Sequence, residues 1–519
     1  MRHPIQRLHV CAATARVYAA ASNTLHVFDG STGALLSSWS ASKSTGAAPT
    51  TSVAADTQEG NDAETNPKKK RKVQEIDAAH AKSAVKDNKS DKSRASLFSG
   101  TTTNNAVSKI LTTADGKYAV IATSEDKNVT VFSTQDGKLE VVSSRTLPKR
   151  IVDLALVDKD NTILCADKFG DVFGLPFFPP ASDSESTEQT TGPSEVATDN
   201  FKMDIDDKTF ESEEQKQRYI EKQKAHAARE KAAAERRKRL QVEYNIPFAH
   251  DFILGHVSML LCLSTVTLPA DHPEAAGKEK TWVLTGDRDE HIRVTRYPQS
   301  YVIDGFCLGH TQFVKTMLTP SWNLTSLISG GGDEFLLVWN WRQGKVLQKV
   351  DLVAPVQGAL GAETKIFVPK TGDKHEAEQV DESVFKIAVS GLWEVPTVKG
   401  VLVAVESVPA LFLFSYASGS LEYTSTLALT GNVLDVAVKQ NNIFVSVDPV
   451  DKAAPLVEEH MLDQAGQWTP AEGDVAATVS GAVVKAVDLD EALIAAITPN
   501  VLYPVKSLRK EYGIRDREE

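Results

Sequence analysis

Two stretches of the chain, LTGDRDEHIRVTR at residues 284–296 and ISGGGDEFLLVWN at residues 328–340, lie over one another without a gap. Asp289 then falls on Asp333, Ile292 on Leu336 and Val294 on Val338, so each copy has a turn aspartate followed by a strand with apolar residues at alternate positions. Leu254-Gly255-His256 opens the first copy and Leu308-Gly309-His310 the second. A third copy, IATSEDKNVTVFS, puts Asp126 ahead of Val129 and Val131 in the same register. A fourth, LCADKFGDVFGL, keeps the strand around Val172 but has Phe169 at the aspartate position.

The two strongest aspartates are 44 residues apart, within the roughly 40–45 of one WD-repeat propeller blade. A blade of four short strands cannot bury its own faces, so blades stack around a ring and cover one another. Strand clusters near residues 5–39, 106–146, 149–178, 252–297, 306–350, 383–429 and 431–505 predict an all-β, seven-bladed WD-repeat β-propeller. The sequence leaves closure of the ring open, with pairing of residues 4–10 to carboxy-terminal strands, completing the last blade, as one candidate. Two long charged insertions, largely disordered or helical, interrupt the ring. The expected order is blade 1 at 1–39, a disordered insertion at 40–103, blades 2 and 3 at 104–178, a charged insertion at 179–245, blades 4 to 7 at 246–505 and a charged tail at 506–519.

Composition bounds the chemistry. Both insertions lack the apolar content needed to offset the entropy of ordering a chain. The first contains PKKKRKV at residues 67–73, where Lys68, Lys69, Lys70, Arg71 and Lys72 form a nuclear-import signal and predict a nuclear protein. The second is acidic from 183 to 207 and then a Glu/Lys/Arg/Ala/Gln tract from 211 to 239, with Glu214–Arg218 and Glu235–Arg239 in helix-favouring order. A net charge of -12 confines any nucleic-acid contact to local patches. Cys11, Cys165, Cys262 and Cys307 form no CxxC pair, which argues for buried thiols and against a zinc or redox site. No segment approaches the roughly 20 apolar residues that span a bilayer, and a secretory leader is not expected.

His256 and His310 are read as structural, each bonded to its turn aspartate, His256 with Asp289 and His310 with Asp333. Neither has further ligands nearby for a metal. Trp339 reads as packing. The chain carries no GxGxxG after a strand, no GxxxxGK[ST], no HExxH and no GxSxG, so neither a cofactor nor a catalytic group is expected. The run Gly330-Gly331-Gly332 is read as turn chemistry. A propeller without catalytic groups points to a scaffold.

DFILGHVSMLLCL at 251–263, GDRDEHIRVTRYPQSYVIDGFCLGHTQFV at 286–314 and SGGGDEFLLVWNW at 329–341 resemble the WD-repeat, non-catalytic subunit of the fungal-type tRNA (guanine-7-)-methyltransferase. DKFGDVFGLP at 167–176 and LYPVKSLRK at 502–510 extend the resemblance. It implies a heterodimer with a separate S-adenosylmethionine-dependent catalytic subunit, tRNA reached through the complex, and 7-methylguanosine formed in the tRNA variable loop. It further implies that Arg288, Arg293 and Arg296, in the blade with the RDE run, grip that subunit. The alternative class is a general nuclear propeller adaptor, for example in chromatin or ubiquitin-ligase assemblies, which has no reason to resemble this family in consecutive blades.

Overall fold

The computed structural model describes residues 3–41, 105–179, 246–368, 384–417, 419–451, 453–471, 473–486 and 502–509. Within them the chain forms seven four-stranded sheets, each with its strands in consecutive order. These are the seven blades, at residues 7–40, 107–146, 151–255, 260–308, 314–351, 389–428 and 431–470. The import signal Lys68–Lys72 and the charged tract at 183–239 lie outside the described residues.

The sheets are one strand out of phase with the repeats visible in the sequence. Asp251–Gly255, which carries the opening Leu254-Gly255, pairs with Asp171–Pro176 as the outermost strand of blade 3. Ile303–Leu308 is likewise the outermost strand of blade 4. Each sequence repeat therefore begins on one blade and ends in the next, which ties neighbouring blades together covalently. The seventh sheet ends at Trp468–Pro470, and the chain continues into the helix Val475–Ala486 (α2), after an earlier helix α1 at Val353–Leu360.

Stacking buries both faces of most middle strands. Val17–Ala21, Ser326–Gly331 and Gly400–Val405 are buried at every position, so their residues are small or apolar throughout instead of alternating with charged ones. Each neighbouring pair of blades has its own buried cluster. Between blades 4 and 5 it consists of Trp282, Leu284, Ile292 and Val294 against Leu327, Leu337 and Trp339.

Six innermost strands skip one residue near their start, at Ser108, Val152, Leu261, Lys315, Ser390 and Leu434. Such bulges release a backbone group from the ladder and re-aim a side chain. Here the freed carbonyl of Ser108 accepts from Arg7 Nε at 2.7 Å, and that of Leu261 accepts from Lys315 Nζ at 3.3 Å. Nearby, Lys109 Nζ lies 2.8 Å from Asp153, whose other oxygen accepts from Leu263 N at 2.9 Å. Burial, with Lys109 close by, pushes Lys315 down to about 8.

The ring is not closed by a shared strand. Arg7–Val10 pairs with Val17–Ala21 inside blade 1, so residues 4–10 do not complete the last blade. Side-to-side contacts close it instead. Asp435 of blade 7 accepts from Leu8 N at 3.0 Å, and Lys439 Nζ donates to Gly30 O at 3.0 Å. Val475, Val479 and Val483 of α2 cover the junction by packing with Ile5, Val17 and Phe28.

Gly330 and Gly331 belong to the strand Ser326–Gly331 and are not turn residues. Their role is close approach: a Cβ on Gly331 would lie 1.9 Å from the Phe313 carbonyl oxygen.

Candidate partner-binding surface

The turn histidines are structural in both strong repeats, but only one uses the expected aspartate. In blade 5, His310 Nδ1 lies 2.7 Å from Asp333 Oδ2 and Nε2 lies 2.7 Å from Ser329 Oγ, which also accepts from Trp339 Nε1 at 2.8 Å. The set is satisfied when His310 donates to the carboxylate, Ser329 donates to His310 and Trp339 donates to Ser329. An Asp–His–Ser series of this kind also occurs in hydrolases. Here Asp333, Ser329 and Trp339 are wholly buried, so no substrate reaches the hydroxyl and the bonds serve packing.

In blade 4, His256 Nε2 lies 2.7 Å from Thr285 Oγ1, the counterpart of Ser329. The carboxylate facing His256 belongs to Asp287, at 3.6 Å, and not to Asp289 as the alignment implied. The reason is local. Asp287 ends its strand and accepts from the backbone of Asp289 at 2.9 Å and His291 at 3.0 Å, so it closes the turn itself. Blade 3 repeats the device. Asp167 accepts from Phe169 N at 2.7 Å and Asp171 N at 3.0 Å, which supplies the aspartate that Phe169 replaced in the alignment. Asp126 of blade 2 accepts from the Thr123 hydroxyl.

Blade 4 also carries the three arginines, and the structure does not gather them. Arg288 sits in the turn between Lys280–Asp287 and His291–Tyr297, while Arg296 is near the far end of the latter strand. Arg288 Nε donates to Leu508 O at 2.9 Å, and its own N–H to Met259 O at 2.9 Å. Arg296 is committed within the chain, with Asp304 at 2.8 Å, in a cluster where Asp304 also accepts from Arg342 at 2.5 Å and Trp282 at 2.8 Å. Arg342 stacks over the Trp282 ring at 4.4 Å.

Arg293 differs from both. It is half-buried against the outer strand of blade 3, donating to Gly255 O at 3.1 Å and Thr295 Oγ1 at 3.1 Å. Burial pulls its guanidinium below the usual arginine range. Among the described residues no carboxylate pairs with it. A partly desolvated cation held by neutral acceptors is primed for an incoming carboxylate, whose bond would gain from the low dielectric.

All four cysteines are free and buried, and burial pushes Cys165, Cys262 and Cys307 up to about 12. Among the described residues no group of three or more His, Cys, Asp or Glu side chains could hold a metal, and no helix is long and apolar enough to cross a membrane.

Sequence reasoning missed Asp287, Thr285 and Asp167. The signal was present as Asp-x-x-x-[His/Asp] at the end of a strand, shared by 287–291 and 167–171 and absent from blade 5.

Comparison with known proteins fits this geometry. The family profile described as the tRNA methyltransferase TRM82 WD40 domain matches residues 17–466. A protein of Aspergillus oryzae named tRNA (guanine-N(7)-)-methyltransferase non-catalytic subunit trm82 is 33% identical, covering 98% of this chain and 96% of that protein. Its namesake in Coccidioides immitis is 34% identical, with 87% and 84% covered. A third, from Phaeosphaeria nodorum, is 33% identical, with 79% and 84% covered. Likeness over nearly the whole length, on a seven-bladed ring whose buried polar residues serve its packing, makes this chain a member of the TRM82 family of WD-repeat proteins.

Proposed function

We propose that this chain is the non-catalytic scaffold subunit of a tRNA guanine-N7-methyltransferase. In this reading it binds a separate S-adenosylmethionine-dependent catalytic subunit, holds it in its active conformation and is required for 7-methylguanosine in the variable loop of tRNA. The names of the relatives support the complex. The observation that carries the binding surface is Arg293, a half-buried guanidinium with no carboxylate partner among the described residues. Arg288 lies in the turn of the same blade, whereas Arg296 is already neutralised by Asp304 and contributes less.

The complex is proposed to act in the nucleus, on the strength of Lys68, Lys69, Lys70, Arg71 and Lys72. A fluorescent fusion with these five changed to Ala should leave the nucleus, and unchanged accumulation would remove the signal. The function is tested by mass spectrometry of total tRNA from cells with and without this chain. Loss of 7-methylguanosine, restored by re-expression, supports the subunit reading; unchanged modification sinks it and leaves a general nuclear adaptor. Arg293→Ala should weaken capture of the catalytic subunit by roughly 2–5 kcal/mol while the propeller stays folded.

A further inference from the structure

Leu502–Arg509 belongs to no blade. In an antiparallel meander the connections that lead into innermost strands and those that leave second strands emerge on one face of the ring, and the segment runs across that face over blades 4 to 7. At its start, the Tyr503 hydroxyl bonds to Asp448 and accepts from Asn432 Nδ2 at 3.2 Å, both in blade 7. Pro504 favours extended backbone at Tyr503. Val505 N donates to Glu406 of blade 6 at 3.1 Å. The Val505 side chain, 2% exposed, packs with Leu261 of blade 4, Phe313 of blade 5 and Ala388 of blade 6. The segment ends with Leu508 O on Arg288 and with Arg509 donating to Ile387 O at 2.8 Å.

These contacts have the form of peptide recognition. The propeller reads the segment's backbone through Glu406 and Arg288, and an apolar pocket takes one branched side chain. The pocket is built from residues beside the starts of three innermost strands, Leu260–Leu268, Val314–Leu318 and Val389–Val395, which the blade clusters hold independently of the segment. An internal ligand of this kind benefits from a high effective concentration, so it can occupy its groove through few contacts.

We propose that this face of blades 4 to 7 is a groove for a Tyr-Pro-Val peptide that turns at Val505 into a 3-10 turn over Lys506–Leu508, that the chain's own Leu502–Arg509 fills it in cis, and that its seating fixes the presentation of Arg288. The last part rests on the reading of Arg288 as a partner-binding residue; the groove does not.

The test uses the full chain with a site-specific protease sequence introduced between Ala486 and Leu502, cut after folding. The carboxy-terminal fragment should stay with the propeller on gel filtration and exchange with added synthetic 502–509 peptide. Val505→Asp should speed its release at least tenfold, and Tyr503→Phe, which retains the apolar ring, should speed it by a smaller factor. Immediate release of the wild-type fragment, or release rates unaffected by both substitutions, would overturn the groove. Losing the fragment should then reduce capture of the catalytic subunit several-fold, with recovery on adding the peptide. Capture unchanged after fragment loss, while Arg288→Ala lowers it, would overturn only the coupling; capture unchanged in Arg288→Ala would instead remove Arg288 from the interface.

Discussion

Replacing Asp333 by Ala tests whether the turn carboxylate holds blade 5 together. Asp333 is fully buried and accepts from His310 Nδ1 at 2.7 Å, Thr311 N at 3.1 Å, the Thr311 hydroxyl and Gln312 N at 3.4 Å. Its loss strands a buried His310 donor, worth about 1–3 kcal/mol, and dismantles a buried polar set whose one-sided disruption costs about 3–5 kcal/mol. The expected loss for Asp333→Ala is therefore about 3–5 kcal/mol, with Asp333→Asn less harmful because one oxygen remains to accept. Urea unfolding followed by tryptophan fluorescence measures it, since Trp339 is bonded to the same set through Ser329. The pH dependence supplies a second check. Burial alone would push Asp333 up, but hydrogen bonds from His310 and Thr311 hold it below the usual carboxylate range. A depressed acid stabilises the fold above its unfolded pKa of about 3.9 and loses that contribution as pH falls through the folded value. The gap between wild type and Asp333→Asn should accordingly narrow below about pH 4. An Asp333→Ala protein within about 0.5 kcal/mol of wild type at neutral pH would refute the reasoning.

Lys315, lowered to about 8, also makes stability rise with pH, but here it is the charged form that burial penalises. The unfolded chain binds its proton more readily between about pH 8 and 10.4, so stability rises with pH across that window. Lys315→Met should stabilise the protein by about 1–3 kcal/mol below pH 8, less near pH 10, as read from melting curves at each pH. Gly331→Ala puts a methyl 1.9 Å from the Phe313 carbonyl and should cost about 1–3 kcal/mol by urea unfolding. Trp339→Ala should cost about 3–5 kcal/mol, because the ring is wholly buried between blades 4 and 5.

The ring was legible because one unit is repeated, and a 44-residue period shows through substitutions at single positions. Blade edges were less so. The sequence unit opens at Leu254-Gly255-His256, yet the outermost strand of blade 3 contains Leu254 and Gly255, and hydrogen-bond partners between strands leave no local mark. Closure stayed open for a similar reason: residues 4–10 look like a strand, and only packing tells that Arg7–Val10 stays in its own sheet and not in the last blade. The strap at Leu502–Arg509 showed as a resemblance without a role, since its contacts reach residues as distant in sequence as Leu261, 244 positions from Val505.

Blade 4 departs from blade 5 in a way that separates fold from function. A blade needs one carboxylate to close its turn, and in blade 4 Asp287 supplies it, so Asp289 does not take the role that Asp333 takes in blade 5 and the Arg288 side chain reaches Leu508 instead. Side chains not committed to closing a turn are where a binding surface can be built. Converting 287–291 to the blade 5 pattern, by Asp287→Gly, Arg288→Gly and His291→Phe, retains Asp289 at the position of Asp333, within reach of His256 by the blade 5 geometry. The swapped protein should unfold within about 1 kcal/mol of wild type, since a buried histidine keeps an acceptor, while capture of the catalytic subunit falls. If capture persisted in a folded swap, the special character of this turn would have nothing to do with partner binding, and Arg293 would have to carry the surface alone.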